Sequence, residues 1–128
     1  MRILLDTHAL VWAVGNHPRL SDLARNYLAD DRIEKVVSAA SAWEIATKVR
    51  LGKLQEARVL FEEFDQTLET AGYVPLPVTM AHALRAGSMP GEHNDPFDRM
   101  LAAQALSENI RILSIDSHLD VFGVRRIW

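Results

Sequence analysis

Two short apolar runs near opposite ends of the chain each stop at an aspartate. Ile3-Leu4-Leu5 leads into Asp6, and Ile110-Arg111-Ile112-Leu113-Ser114-Ile115 leads into Asp116. Such runs are too short for buried helices and lack the polar alternation of a half-exposed sheet. They suit strands covered on both faces, the usual state of a parallel sheet between helical layers.

The intervening residues alternate between strand and helix patterns. Arg2 to Leu5 is the first strand. Thr7 to Val14 is helical and ends at Gly15-Asn16 and Pro18. Ser21 caps a second helix with Leu20, Leu23, Ala24, Tyr27 and Leu28 at helical spacing, closed by Asp30-Asp31. Lys35 to Ala39 is a second strand, and Ser41 to Leu51 a helix stopped by Gly52. Ala57 to Ala71 reads as one longer helix with the stripe Leu60, Phe61, Phe64 and Leu68. Tyr73 to Pro77 is extended, and its two prolines confine it to a sheet edge. Thr79 starts a short helix through Leu84, and Gly87 to Asn94 is a polar loop. Asp95-Pro96 opens a strong helix to about Glu108, the Ile110 to Ile115 strand comes next, and Val124 to Trp128 is a last strand.

This alternation predicts an α/β fold with a parallel sheet, and the 128 residues suit a single domain over 1–128. Right-handed crossovers then bring every strand's C-terminal tip to one side, where open α/β sheets bind their ligands.

Composition narrows the chemistry. There is no cysteine, so thiolate metal sites, disulfides and cysteine nucleophiles are excluded. The histidines His8, His17, His82, His93 and His118 form no H-x-x-x-H pair, which argues against zinc. No phosphate loop, dinucleotide-binding glycine turn or nucleophile elbow occurs. Lys plus Arg number 14 against 17 Asp plus Glu, a formal charge of −3, so there is no global attraction for a polyanion. The run Met1 to Asp6 meets a charge, at Asp6, too early for a secretory leader, and no apolar run approaches the ~20 residues of a membrane span. A cytoplasmic location without membrane contact is the expectation. Lys48, Arg50 and Lys53, and Arg125 with Arg126, read as solvated basic faces; Trp12 and Trp43 read as packing.

Four acids fall on the expected rim. Asp6 and Asp116 end strands; Glu44 and Asp98 lie in the first turns of helices. Singly, each fits a capping role: Ser41-x-x-Glu44 matches a capping box, Asp95 is a good N-cap before Pro96, and Asp6 and Asp116 can cap the helices next in the chain. Together they repel and desolvate one another, a conflict that a hard divalent cation with oxygen ligands resolves. Thr7, Ser41 and Ser114 stand beside them as hydroxyls able to orient ligands or water.

Four stretches in order resemble the PIN domain of VapC-type toxins from bacterial toxin–antitoxin pairs. They are Leu4 to Trp12, Ser38 to Ile45 with Lys48 and Leu51-Gly52-Lys53-Leu54, Asp95 to Ala105, and Ile112 to Asp116. The resemblance implies a three-layer α/β/α fold whose five-stranded parallel sheet has the order 3-2-1-4-5. It maps the acidic positions onto Asp6, Glu44, Asp98 and Asp116, with Asp95 a lesser candidate. Ser114 stands where the family often has threonine. It further implies Mg²⁺ dependence with Mn²⁺ as a substitute, an RNA substrate, a homodimer and inhibition by a cognate antitoxin. On this reading Asp6, Asp98 and Asp116 hold the metal and Glu44 helps position the attacking water. The alternatives are a catalytically weak module that binds RNA or a partner on the same fold, and another Mg²⁺-dependent phosphohydrolase. An aspartyl-nucleophile phosphatase usually shows Asp-x-Asp after its first strand, where this chain has Asp6-Thr7-His8.

Overall fold

The computed structural model describes residues 1–128 and consists of five parallel strands between two helical layers. In chain order the elements are β1 (Arg2–Leu5), α1 (Thr7–Val14), α2 (Asp22–Ala29), β2 (Glu34–Ser38), α3 (Ala39–Arg50), α4 (Arg58–Glu62) and α5 (Phe64–Ala71). They continue with β3 (Val74–Leu76), α6 (Met80–Ser88), α7 (Pro96–Glu108), β4 (Arg111–Leu113) and β5 (Arg126–Ile127). The sheet order is β3-β2-β1-β4-β5, as the resemblance implied.

The central strand explains the apolar run at the start of the chain. Leu4 pairs with Val36 on one side and Ile112 on the other. Successive side chains point to opposite faces. Ile3 and Leu5 therefore enter one core with Leu10, Val37, Ile45 and Leu113, whereas Leu4 enters the other with Val36, Leu101 and Ile112. A strand with helices on both faces has no solvent side on which to place a polar residue. Truncating Leu4 to alanine would cost about 2–5 kcal/mol.

β3 pairs only with β2, so Pro75 sits on an edge where its missing N–H costs no ladder bond. The expected helix over 57–71 is instead a 3₁₀ turn (Gln55–Ala57) followed by α4 and α5, broken at Glu63 (φ −125°, ψ 38°). Leu60 and Leu68 both reach the same core across this break, while Phe61 is left 43% exposed rather than on the buried stripe. α3 begins earlier than Ser41: Ser38 is its N-cap, accepting from Ala40 N at 2.9 Å. The Ser41–Glu44 capping box is therefore absent, and Glu44 lies in the second turn. α6 extends to Ser88, beyond the expected Leu84, which shortens the polar loop. The helix that Asp116 can cap is a 3₁₀ helix, Ser117–Phe122, which buries Leu119 and Phe122. No helix is long and apolar enough to cross a membrane.

Candidate active site

The sheet order puts β1 and β4 side by side, and the ladder runs one residue past β1. The Asp6 N–H donates to Leu113 O at 3.0 Å. Asp6 is thus fixed at the tip of the central strand and is only 5% exposed. Its Oδ1 accepts from Thr7 N at 2.8 Å, capping α1, and its Oδ2 accepts from Ser114 Oγ at 2.7 Å. Burial raises the pKa of this carboxyl. The hydrogen bonds from Ser114 and Thr7 pull it down, and the charge of Glu44 adds to the rise. Ser114 Oγ also accepts from Asp116 N at 3.0 Å, so one hydroxyl links the tips of both strands. Thr7 Oγ1 donates to Ser41 Oγ at 3.0 Å, which ties α1 to α3 beneath the acids.

Glu44 is 3% exposed on the inner face of α3. Lys48, one turn on, forms an ion pair with its Oε2, whereas its Oε1 is buried without a hydrogen-bond partner. Leaving a carboxylate oxygen buried and unpaired costs several times what a made hydrogen bond contributes. Lys48 is not part of a solvated face. Burial opposes its charge, but Glu44, Asp95 and Asp98 outweigh that and raise its pKa.

Asp95 caps α7, its Oδ1 accepting from Phe97 N at 2.9 Å and Asp98 N at 3.0 Å, with Pro96 at the first helical position. That turn aims Asp98 at the other acids. Burial pushes the Asp98 carboxyl up to about 6; a hydrogen bond from His93 opposes this, and the charges of Asp6, Asp95 and Glu44 reinforce it. Asp116 caps the Ser117–Phe122 turn, and its Oδ1 is held by both the N–H and the ring Nδ1 of His118, each at 2.9 Å.

The rim acids therefore converge in two overlapping groups. Asp6, Glu44 and Asp98, with Asp95 beside them, lie within one another's electrostatic reach. Asp98 and Asp116 share the outer group with His93, the three presenting ligand atoms within 4.8 Å of one another. The sequence marks His93 only as a loop histidine near Asp95, a candidate for substrate contact but more readily a surface residue, because a lone histidine carries no spacing signal. Asp6, Asp95 and Asp116 cap as well as converge, so the two roles are not exclusive. Trp12 is buried as expected, but Trp43 is 61% exposed and packs edge-on against Phe97 at 4.7 Å. The apolar cleft of about 440 Å³ between Trp43, Val78 and Met100 contains no acid; it flanks the carboxylates instead of holding them.

The donors suit a hard divalent cation. They are carboxylate oxygens from four separate segments, their mutual repulsion adds to the rise of two carboxyl pKa values, and Glu44 Oε1 awaits a partner.

A parallel sheet of this order with acids at its central tips defines a class, and the comparison with known families agrees. The PIN domain family matches residues 3–124, and the chain belongs to that family. Ribonuclease VapC16 of Mycobacterium tuberculosis (strain ATCC 25618 / H37Rv) is 39% identical over 80 residues. That match takes in 58% of this chain and 57% of the relative, less than two thirds of its length. Among solved structures, VapBC2 from Rickettsia felis bound to a DNA fragment from their promoter superposes with a TM-score of 0.68. It is 17% identical, covering 99% of this chain and 98% of that one. FitAcB from Neisseria gonorrhoeae also gives 0.68, at 19% identity and 98% and 96% coverage. At these identities the structural likeness concerns the fold.

Proposed function

We propose that the chain is a metal-dependent endoribonuclease of the VapC toxin type, silenced by a cognate antitoxin. The observation that carries this reading is that Asp6, Glu44 and Asp98 lie within one another's electrostatic reach while one Glu44 oxygen is buried without a partner. Its kinship with a protein named a ribonuclease supplies RNA as the substrate class.

Asp6, Asp98 and Asp116 would hold Mg²⁺, or Mn²⁺ in its place, directly or through water. When bound, such an ion supplies a water acidic enough to attack at neutral pH and neutralises charge on the phosphate. Glu44, with Oε2 paired to Lys48 and Oε1 unpartnered, would be the carboxylate that positions an attacking water and could accept its proton. Ser114 and the Thr7 N–H fix the Asp6 carboxylate so that it does not turn away when the pocket fills. In-line displacement of the RNA 3′-oxygen leaves a 5′-phosphate. The antitoxin and homodimer, the single domain over 1–128 and the cytoplasmic location complete the reading by family likeness.

Cleavage of total RNA by the parent, Asp6→Asn and Asp98→Asn proteins, with Mg²⁺ titrated from zero, tests the proposal. Loss of cutting in both variants and in EDTA supports it. Parent-like turnover in either variant removes that residue from the site, and RNA binding without any cleavage favours the binding-module reading.

A further inference from the structure

We propose that His93, Asp98 and Asp116 form an outer metal subsite whose imidazole nitrogen makes it selective for a divalent transition cation over Mg²⁺. The inference rests on the ribonuclease reading and adds a ligand of a different chemical kind to it.

His93 Nε2 lies 2.7 Å from Asp98 Oδ2, and each of the three residues offers a ligand atom within 4.8 Å of the others. An ion with bonds of about 2.1 Å holds neighbouring ligands about 3 Å apart and opposite ones about 4.2 Å apart. The three therefore need only a small contraction to share an ion. An ion would replace the hydrogen bond from His93 to Asp98: with the proton shifted to Nδ1, the Nε2 lone pair faces the Asp98 carboxylate.

The loop that carries His93 is held for this task. Arg99, on α7 one residue after Asp98, donates to Ala86 O at 2.9 Å and to His93 O at 3.0 Å, and also to the carbonyls of Met89 and Gly91. Its guanidinium stacks over Phe122 at 5.3 Å. Gly91 adopts φ +132°, and a Cβ there would come within 2.8 Å of the Phe122 ring. The loop is thus clamped between one arginine and one aromatic ring, with His93 fixed relative to Asp98. On the far side the His118 ring stacks on His93 at 5.8 Å and anchors Asp116 through its Nδ1. A histidine needed only as a surface residue requires none of this.

Ligand type sets the selectivity. Mg²⁺ takes oxygen and gains little from an imidazole, whereas Co²⁺ and its neighbours bind nitrogen well. His93 therefore discriminates between cations that the carboxylates alone treat more evenly.

Co²⁺ and Mg²⁺ titrations of the metal-free parent, His93→Ala and His93→Gln proteins test this, with proton NMR of the Co²⁺ forms. The glutamine variant keeps a donor toward Asp98 but lacks the imidazole. The expected result is that both variants lose about tenfold or more in Co²⁺ affinity and under twofold in Mg²⁺ affinity. The parent should also show a hyperfine-shifted, exchangeable imidazole N–H that both variants lack. Unchanged Co²⁺ affinity overturns the inference, and so does an equal loss for both cations, which would make His93 a holder of Asp98 only. In either case Mg²⁺-dependent RNA cleavage by the parent leaves the ribonuclease reading standing. A parent protein that binds neither ion and cuts no RNA overturns both.

Discussion

The inner and outer halves of the acidic rim are built differently. The inner half, Asp6 and Glu44, is buried, rides on the central strand and on α3, and takes its hydrogen bonds from Ser114, Thr7 and Lys48. The outer half, Asp98 and Asp116, is more open and meets histidines. Burial makes the inner charges expensive, so each is restrained by a donor that cannot move. In the outer half burial opposes the Asp98 charge as well, and both carboxylates sit at helix starts, each against a histidine ring. A site made this way has a buried floor and a mouth more open to solvent.

The largest effect that separates the halves comes from Asp6→Asn. RNA cleavage and metal affinity should fall by about a hundredfold or more. Metal-free stability should hold or rise, because asparagine still caps α1 and carries no buried charge. Urea unfolding in EDTA, set beside metal titration, reads both numbers. Ser114→Ala comes next. It removes the donor to Asp6 Oδ2 and orphans the Asp116 N–H, so it should cost about 1–3 kcal/mol and about tenfold in metal affinity. An effect on stability without one on metal would show that the hydroxyl serves only the strands.

One carboxyl in each half, Asp6 and Asp98, is pushed up chiefly by burial. The Asp98 carboxyl titrates near 6 in the folded chain against 3.8 when free. The unfolded chain therefore releases this proton first. Asp98 supports the metal-free fold fully below pH 4, and that support is lost as pH rises through about 6. Parent stability relative to Asp98→Asn should fall by about 2 kcal/mol between pH 4 and pH 7 in EDTA. Metal affinity should rise over the same interval, since the cation needs the ionised carboxylate. A flat difference would place Asp98 in a wetter setting than its contacts indicate. The smallest expected effect is that of His118→Ala, whose ring is highly exposed: about 0.5 kcal/mol or less in stability.

Much of the fold was legible because the apolar runs have a single physical explanation. Ile3 to Leu5 and Ile110 to Leu113 allow no solvent face, and Pro75 and Pro77 allow no central position. The sheet order itself came from family resemblance. What escaped was set by tertiary packing. The break at Glu63, across which Leu60 and Leu68 still share one core, is not revealed by the periodicity over 57–71. Ser38 displaced Ser41 as the cap because the strand ends one residue earlier than its apolar pattern does, and Ser41 instead bonds Thr7. Asp6, Asp98 and Asp116 could be named because each sits beside a strand tip or helix start, and Glu44, which lies in the second turn of α3, through the family resemblance. The contacts of Lys48 with Glu44 and of His93 with Asp98 could not be read, since an ion pair across one helical turn and a clamped loop leave only faint marks on a sequence.

The central claim is that the rim acids are one cation site and not a set of unrelated helix caps. Calorimetric titration of Mg²⁺ into the parent and Asp6→Asn proteins, with metal-free melting on the same samples, tests it most directly. A shared site predicts binding heat in the parent, its loss in Asp6→Asn, and a melting temperature in the variant no lower than the parent's. Undiminished Mg²⁺ binding by a clearly destabilised Asp6→Asn protein would contradict it and return Asp6 to the role of a cap.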